Sequence, residues 1–161
     1  MQVIDWYARD VAQTRLSDTE MRAWQALLHA YHQVIRKLDR DLREEHDLPL
    51  AAYDVLLRLA KAPDRALRMT DLAERVMLSP SGVTRLVDRL VTKGMVQRRA
   101  DPDDARGALA SLTDEGLRQL RSAARTHLRG IRDQFTGRLS EAQLRNVASG
   151  LETITGTHAP H

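Results

Sequence analysis

The sequence predicts a mainly α-helical (α+β) protein built around a winged helix–turn–helix, with long helices at both ends and a two-stranded wing. Three observations carry that expectation. Residues 69–107, MTDLAERVMLSPSGVTRLVDRLVTKGMVQRRADPDDARG, read as two short helices, a reversing strand pair and a basic, turn-rich loop. Two capping-box patterns, Ser17-Asp-Thr-Glu20 and Ser140-Glu-Ala-Gln143, open helices near the two ends of the chain. Apolar residues recur three and four apart through the flanking segments, as a helix with one buried face requires.

Taken in order, residues 1–16 are a mixed segment that suits a short helix or an arm. From Ser17 a long helix runs to near His46, with Trp24, Leu27, Leu28, Tyr31, Val34, Ile35, Leu38 and Leu42 in one broad stripe. Pro49 breaks it, and a second helix at 50–61 carries Tyr53, Leu56, Leu57 and Leu59. Ala62-Pro63-Asp64 is a turn. A helix at 70–76 then connects tightly to another that starts at Ser79-Pro80. The Ser79 hydroxyl can cap it, and Pro80 suits the first helical position, where no N–H is needed. Gly94, after Lys93, is a left-handed terminator. Residues 96–100 and 108–112 are short strands, and the Asp101-Pro-Asp-Asp-Ala-Arg-Gly107 segment between them is a charged hairpin tip. Thr113 caps a long helix running to about Arg138, and a last helix carries Leu144, Val147, Leu151 and Ile154. Three regions result: an N-terminal arm and dimerisation helix (1–47), a winged helix–turn–helix (48–112) and C-terminal dimerisation helices (113–161).

Composition narrows the function. With 161 residues, 42% hydrophobic and 29% charged, the chain is long enough for a real core and too apolar for a disordered one. The absence of cysteine removes disulfides, thiolate metal sites and thiol redox chemistry. No apolar run approaches the roughly 20 residues that span a bilayer, and the N-terminus has no signal-type leader, so a cytoplasmic location is expected, with no membrane partner. Net charge is only +3. Its distribution says more, because residues 65–107 hold nine Arg or Lys against six Asp or Glu, a local attraction for phosphates.

The helix beginning at Pro80 gives that attraction a shape. Val83, Leu86, Val87 and Leu90 fall on one face; Ser81, Thr84, Arg85, Asp88 and Arg89 fall on the other. Small hydroxyl residues at its start permit close approach to a DNA major groove, and the arginines reach base edges or phosphates. A solvated helix face would also carry exposed arginines; the position of Arg85 and Arg89 behind Ser79-Pro80-Ser81-Gly82 favours DNA. Arg98 and Arg99 point to opposite faces of a strand, so at most one faces DNA and the other pairs with an acid. The flanking stripes need a partner, and a second copy of the chain supplies one, setting two recognition helices about one helical turn apart on a pseudo-palindrome.

These residues resemble the MarR family of bacterial transcriptional regulators. The similarity runs from about Leu50 to Gly116 and rests on an ordered set: Met69-Thr-Asp-Leu-Ala73, Leu78-Ser-Pro-Ser-Gly-Val-Thr-Arg-Leu-Val-Asp-Arg-Leu90, Lys93-Gly94 with Val96 and Arg98, Asp104-Ala-Arg106, and Leu112-Thr-Asp-Glu-Gly116. The resemblance implies a homodimer that binds double-stranded DNA and is commonly a repressor released by a small, often phenolic or anionic, effector. It implies a wing whose Arg106 enters the minor groove and is positioned by Asp104; a narrow groove concentrates the negative potential that draws arginine. Many members carry two adjacent arginines there, whereas this chain has Ala105, which implies one wing contact fewer. The expected DNA-binding set is Thr70, Ser79, Pro80, Ser81, Gly82, Thr84, Arg85, Arg89, Arg98, Asp104 and Arg106.

For an effector crevice the candidates are Trp24, Tyr31 and His32, with Arg36 and Tyr53; His32 or Arg36 would meet a carboxylate. The competing reading makes the three aromatic residues ordinary core or interface. His29 and His32 lie three apart, but with no cysteine and no acidic helper on the same face neither a metal nor a cofactor is expected. No nucleophile setting and no glycine-rich phosphate loop occurs, so an enzyme is not expected. The rival from another class is a winged helix that docks a protein, and within DNA binding a ligand-independent binder or an activator; the basic excess and the small-residue helix start favour the DNA-bound regulator.

Overall fold

The computed structural model describes residues 15–76, 79–101 and 104–156, leaving aside the side chains of Pro80 and residues 104–107. Among the described residues the chain forms helices α1 (Asp18–His46), α2 (Leu50–Lys61), α3 (Met69–Arg75), α4 (Pro80–Thr92), α5 (Asp114–Gln134) and α6 (Glu141–Thr155). Strands β1 (Ala66–Arg68), β2 (Val96–Asp101) and β3 (Asp104–Leu112) make one antiparallel sheet of order β1-β3-β2. The chain divides into two compact units, residues 1–33 and 34–161.

The larger unit holds the core. Leu42, Leu48, Val55, Leu56, Leu59, Leu72, Val83 and Val87 are completely or almost completely buried, contributed by α1, the turn after it, α2, α3 and α4. Ala110 and Leu112 of β3 and Leu120 and Ala123 of α5 close the cluster. This is the periodicity-three-and-four face of each helix gathered on one side, the arrangement that removes most apolar area from water. In the smaller unit the described residues behave differently. Trp24 and Tyr31 are half exposed, and Met21, Leu27 and Leu28 also remain accessible. In α6, Val147, Leu151 and Ile154 face water too, Ile154 at 75%.

Local chemistry sets the boundaries. Ser17 and Glu20 exchange the reciprocal bonds of a capping box at the start of α1. Ser140 and Gln143 do the same for α6, which ends at Gly156 with φ of 65°. Thr113 caps α5 by accepting from the Gly116 N–H at 3.0 Å. Gly94, with φ of 70°, ends α4 in the left-handed region that glycine tolerates.

Three expectations need correcting. The sheet has a third strand, since β1 pairs with β3 through Ala66↔Ser111, Leu67↔Ala110 and Arg68↔Leu109. The second wing strand begins at Asp104, four residues earlier than its sequence pattern indicates. The helix after Thr113 stops at Gln134 and not near Arg138: Phe135 leaves helical geometry (φ −135°, ψ −74°), and Thr136–Arg138 form a separate 3₁₀ turn. Gly137 permits that tight turn, because a Cβ there would lie 2.7 Å from the Arg132 carbonyl oxygen.

One half-buried titratable group, His127, is expected to make the core sensitive to acid. His127 of α5 packs on Tyr53 of α2 with ring centroids 4.4 Å apart, and its Nδ1 is buried without a hydrogen-bond partner among the described residues. Burial pushes the imidazole pKa below its ordinary value of about 6.5, partly opposed by the Asp54 carboxylate. A depressed histidine contributes stability that is present above its unfolded pKa and is lost as pH falls through 6.5 toward the folded value. Urea melts at pH 8 and pH 5.5 are therefore expected to show a larger loss for the parent chain than for His127→Phe. Equal losses would remove His127 from the acid response.

Candidate nucleic-acid interface

The helix–turn–helix is α3 followed by α4. Ser79 sits at the N-cap of α4 with extended backbone, its Oγ accepting from the Gly82 N–H at 3.2 Å and lying 3.2 Å from the Ser81 Oγ. Pro80 occupies the first helical position. The apolar face is driven inward: Val83 and Val87 are 0% exposed and Leu90 2%. That burial turns Ser81, Thr84, Arg85, Asp88 and Arg89 to the solvent, while Gly82 is half buried. Thr70, exposed at the start of α3, donates to the Asp71 carboxylate. Thr70 and Thr84 line one shallow groove with Met69, Ala73 and Glu74, which brings two of the expected DNA-binding hydroxyls together.

The charges on this face are sorted by ion pairing. Arg98 of β2 donates from Nη2 to Asp88 Oδ1 at 2.7 Å, so the single acid on the exposed face of α4 is matched by a wing cation. Arg98 is thus the member of the Arg98–Arg99 pair that meets an acid, and Arg99 is exposed with no ion pair among the described residues. Arg85 and Arg89 are likewise exposed, and neither has an ion-pair partner among the described residues. Two free guanidiniums, a neutralised carboxylate and a hydroxyl-rich N-terminus give α4 a surface of net positive potential with close backbone access.

Other contacts hold α4 in place. Lys93, at its C-cap, donates from Nζ to the Asp47 carbonyl at 2.8 Å and to Asp47 Oδ2 at 2.7 Å. Asp47 has φ of 48°, a left-handed backbone that closes α1 and presents both acceptors. Arg68 of β1 pairs through Nε with Asp101 Oδ2 at 2.6 Å, tying β1 to the end of β2; the Asp101 carboxylate is 2% exposed. Neither link was legible in the sequence, since each joins residues more than thirty apart with no spacing rule. Asp104 and Arg106 belong to β3, but their side chains lie outside the described residues.

The expected effector residues are scattered by environment. Trp24, Tyr31, His32 and Arg36 are exposed on α1, with the Tyr31 and His32 rings edge to face at 5.7 Å. Tyr53 is 5% exposed, inside the core against His127. Burial raises its phenol pKa, and the neighbouring Asp54 adds to that. Among the described residues no group of three or more His, Asp or Glu is placed to hold a metal ion, and no helix is long and apolar enough to cross a membrane.

A small three-strand antiparallel sheet, an outward-facing α4 and a wing of β2 and β3 define a winged helix–turn–helix with long accessory helices, and comparison with known proteins agrees. The MarR family model matches residues 46–107. The structure superposes with a TM-score of 0.82 on Sco3205 from Streptomyces coelicolor, a MarR family transcriptional regulator solved in complex with DNA; the two are 32% identical, with 91% of each chain covered. The chain is 35% identical over 88 residues to the multiple antibiotic resistance protein MarR of Escherichia coli, covering 53% of this chain and 60% of that one. It is 34% identical over 100 residues to the transcriptional repressor MdtR of Bacillus subtilis, covering 62% and 63%. The match therefore spans about 60% of the length of these curated relatives. This chain belongs to the MarR family, whose members are transcriptional regulators and not enzymes.

Proposed function

We propose that this protein is a homodimeric, sequence-specific DNA-binding regulator that represses transcription by occupying a pseudo-palindromic operator and leaves it when a small phenolic or anionic effector binds. The observation that carries the DNA reading is the outward face of α4, where Ser81, Thr84, Arg85 and Arg89 stand exposed while Arg98 cancels the one acid among them. A similar regulator of known structure binds DNA, and another relative is a repressor. The accessible apolar residues of α1 and α6 support a second copy as partner, because a monomer seldom leaves so many large side chains wet.

The effector reading rests on exposed aromatic Trp24 and Tyr31 along the same helix as His32 and Arg36, which suits an aromatic acid; Tyr53, expected to join them, is packed in the core. For a switch, such a ligand must favour the DNA-incompetent arrangement by several kcal/mol. The proposed DNA-binding site is completed by Thr70, which lines the groove with Thr84, by Gly82 in the first turn of α4, and by Asp104 and Arg106 in the wing.

Fluorescence anisotropy against the intergenic DNA upstream of its own gene tests the proposal. Tight, salt-sensitive binding is expected, and Arg106→Ala should weaken it about tenfold at unchanged thermal midpoint, as loss of one groove-inserted arginine does. Binding no tighter than to random duplex would overturn the reading; undiminished affinity of the variant would remove Arg106 from the interface.

A further inference from the structure

Arg68 stands where another residue would serve α3 better. It is the N-cap of that helix, the position at which Ser, Thr, Asp or Asn accepts from a free N–H, and it makes no side-chain cap bond. Its Nε pairs instead with Asp101 Oδ2 at 2.6 Å, and the Asp101 carboxylate is 2% exposed. The two residues lie on the outer strands of the sheet, with β3 between them. Arg68 and Arg99 pair with the same β3 residue, Leu109, from either side, and Asp101 is two residues past Arg99. Outer strands stand about 10 Å apart, two strand spacings, so only a long side chain crosses the gap. The register shifts between Ala100 and Asp101, an irregularity of the kind that re-aims a side chain. A charge so shielded is costly to keep, and aspartate is depleted in strands.

We propose that Asp101, held by Arg68, is the positioning residue of the wing: the pair locks β2 to the start of α3, so that the wing meets DNA at an angle fixed by the helix–turn–helix. The inference rests on the DNA-binding reading above and names a residue which that reading leaves out. Arg98 and Asp88 make a second tie, between β2 and α4, but both side chains are open to solvent, where an ion pair is weak. The Arg68–Asp101 pair differs because its acid is shielded and has one geometry in which to meet its cation.

Direction along the sheet supports this role. β2 leaves the C-terminal end of α4 at Val96, which pairs with Leu112, and runs out to Asp101, which pairs with Asp104. β1 runs the same way, from Ala66 opposite Ser111 to Arg68 opposite Leu109. α3 starts directly after Arg68, and its Thr70 shares a groove with Thr84 of α4. The pair therefore sits away from the Lys93 end of α4, at the end of the sheet where the wing strands reach furthest from the base.

The test is a double-mutant cycle on operator affinity, with the parent, Asp101→Asn, Arg106→Ala and the two combined. Asparagine keeps the shape of the side chain and leaves no buried charge unpaired, because Arg68 is half exposed. If charge alone mattered, removing an acid near a polyanion would strengthen binding. The proposal gives the opposite sign: Asp101→Asn should weaken binding by up to about tenfold, the loss expected of Arg106→Ala. The combined variant should bind no more weakly than Arg106→Ala alone, since a wing without its contact has nothing left to aim. The neutral pair Arg68→Gln/Asp101→Asn should match Asp101→Asn. Asp101→Asn binding as tightly as the parent, or more tightly, overturns the proposal and leaves the regulator reading intact. Losses that multiply in the combined variant, with or without a lower thermal midpoint, overturn it too, because Asp101 would then act through α4 or the fold. A further loss in the neutral pair overturns it by making Arg68 a direct contact. Undiminished binding by Arg106→Ala overturns it together with the wing assignment. A parent that binds the operator no more tightly than random duplex removes the regulator reading as well.

Discussion

Arg85→Ala and Arg89→Ala are each expected to weaken operator binding by about tenfold to a hundredfold, the 1–3 kcal/mol typical of a guanidinium at a groove. Both side chains are exposed and lack ion-pair partners among the described residues, so thermal stability should move by no more than about 0.5 kcal/mol. The two roles an arginine can play leave different marks. A phosphate contact lowers affinity for operator and random duplex alike and reduces the salt slope by about one; a base contact lowers operator affinity selectively. Anisotropy titrations on both duplexes across a salt series separate them. Isotherms indistinguishable from the parent's for both variants would take α4 out of the interface.

Gly116→Ala should produce the largest loss of stability from a single methyl group. Its Cβ would stand 2.1 Å from the Met95 carbonyl oxygen and 2.7 Å from Leu112 Cδ1. A backbone oxygen cannot step aside as a flexible side chain does, and this one also accepts from the Thr113 N–H at 3.1 Å. Overpacking of this kind costs about 1–3 kcal/mol and sometimes more. Because the displaced carbonyl begins the wing, DNA affinity should fall as well. Gly150→Ala is the control: nothing lies within 4 Å of its Cβ, and alanine inside a helix is favoured over glycine by about 0.5–1 kcal/mol. Chemical denaturation should shift the two midpoints in opposite directions. An unchanged midpoint for Gly116→Ala would mean that α5 and the wing separate easily.

Element boundaries set by one side chain were readable from the sequence. Ser79-Pro80 starts α4, Ser140 with Gln143 starts α6, Thr113 starts α5 and Gly94 ends α4, each through a bond or a φ value that few residues supply. The outward face of α4 was equally legible, because Val83, Leu86, Val87 and Leu90 leave only one way to bury it. What escaped notice depends on distant partners. Strand β1 has three residues, too few for an alternating pattern, and exists because β3 pairs with it. The end of α5 at Phe135 follows from the turn around Gly137, not from any helix breaker in the run before it. The sequence left open which of Arg98 and Arg99 meets an acid; Asp88 decides it from the neighbouring helix. Tyr53 falls in the core because it shares the buried face of α2 with Ala52, Val55, Leu56 and Leu59, and periodicity alone does not distinguish a lining position on that face from a packed one.

The Lys93–Asp47 link has a mechanical consequence. It pins the C-terminal end of α4 to the end of α1, while the proposed DNA contact lies at the Ser79 end. The 13 residues of α4 then act as a lever about 20 Å long. A 10° rotation at the pinned pivot sweeps the tip by about 3 Å, close to the rise of one base pair. Because Val83 and Val87 are fully buried, α4 does not turn alone: torque applied through the pin moves the packed lobe as one body, and the arm converts a small rotation of that lobe into a shift of the helix's N-terminal end.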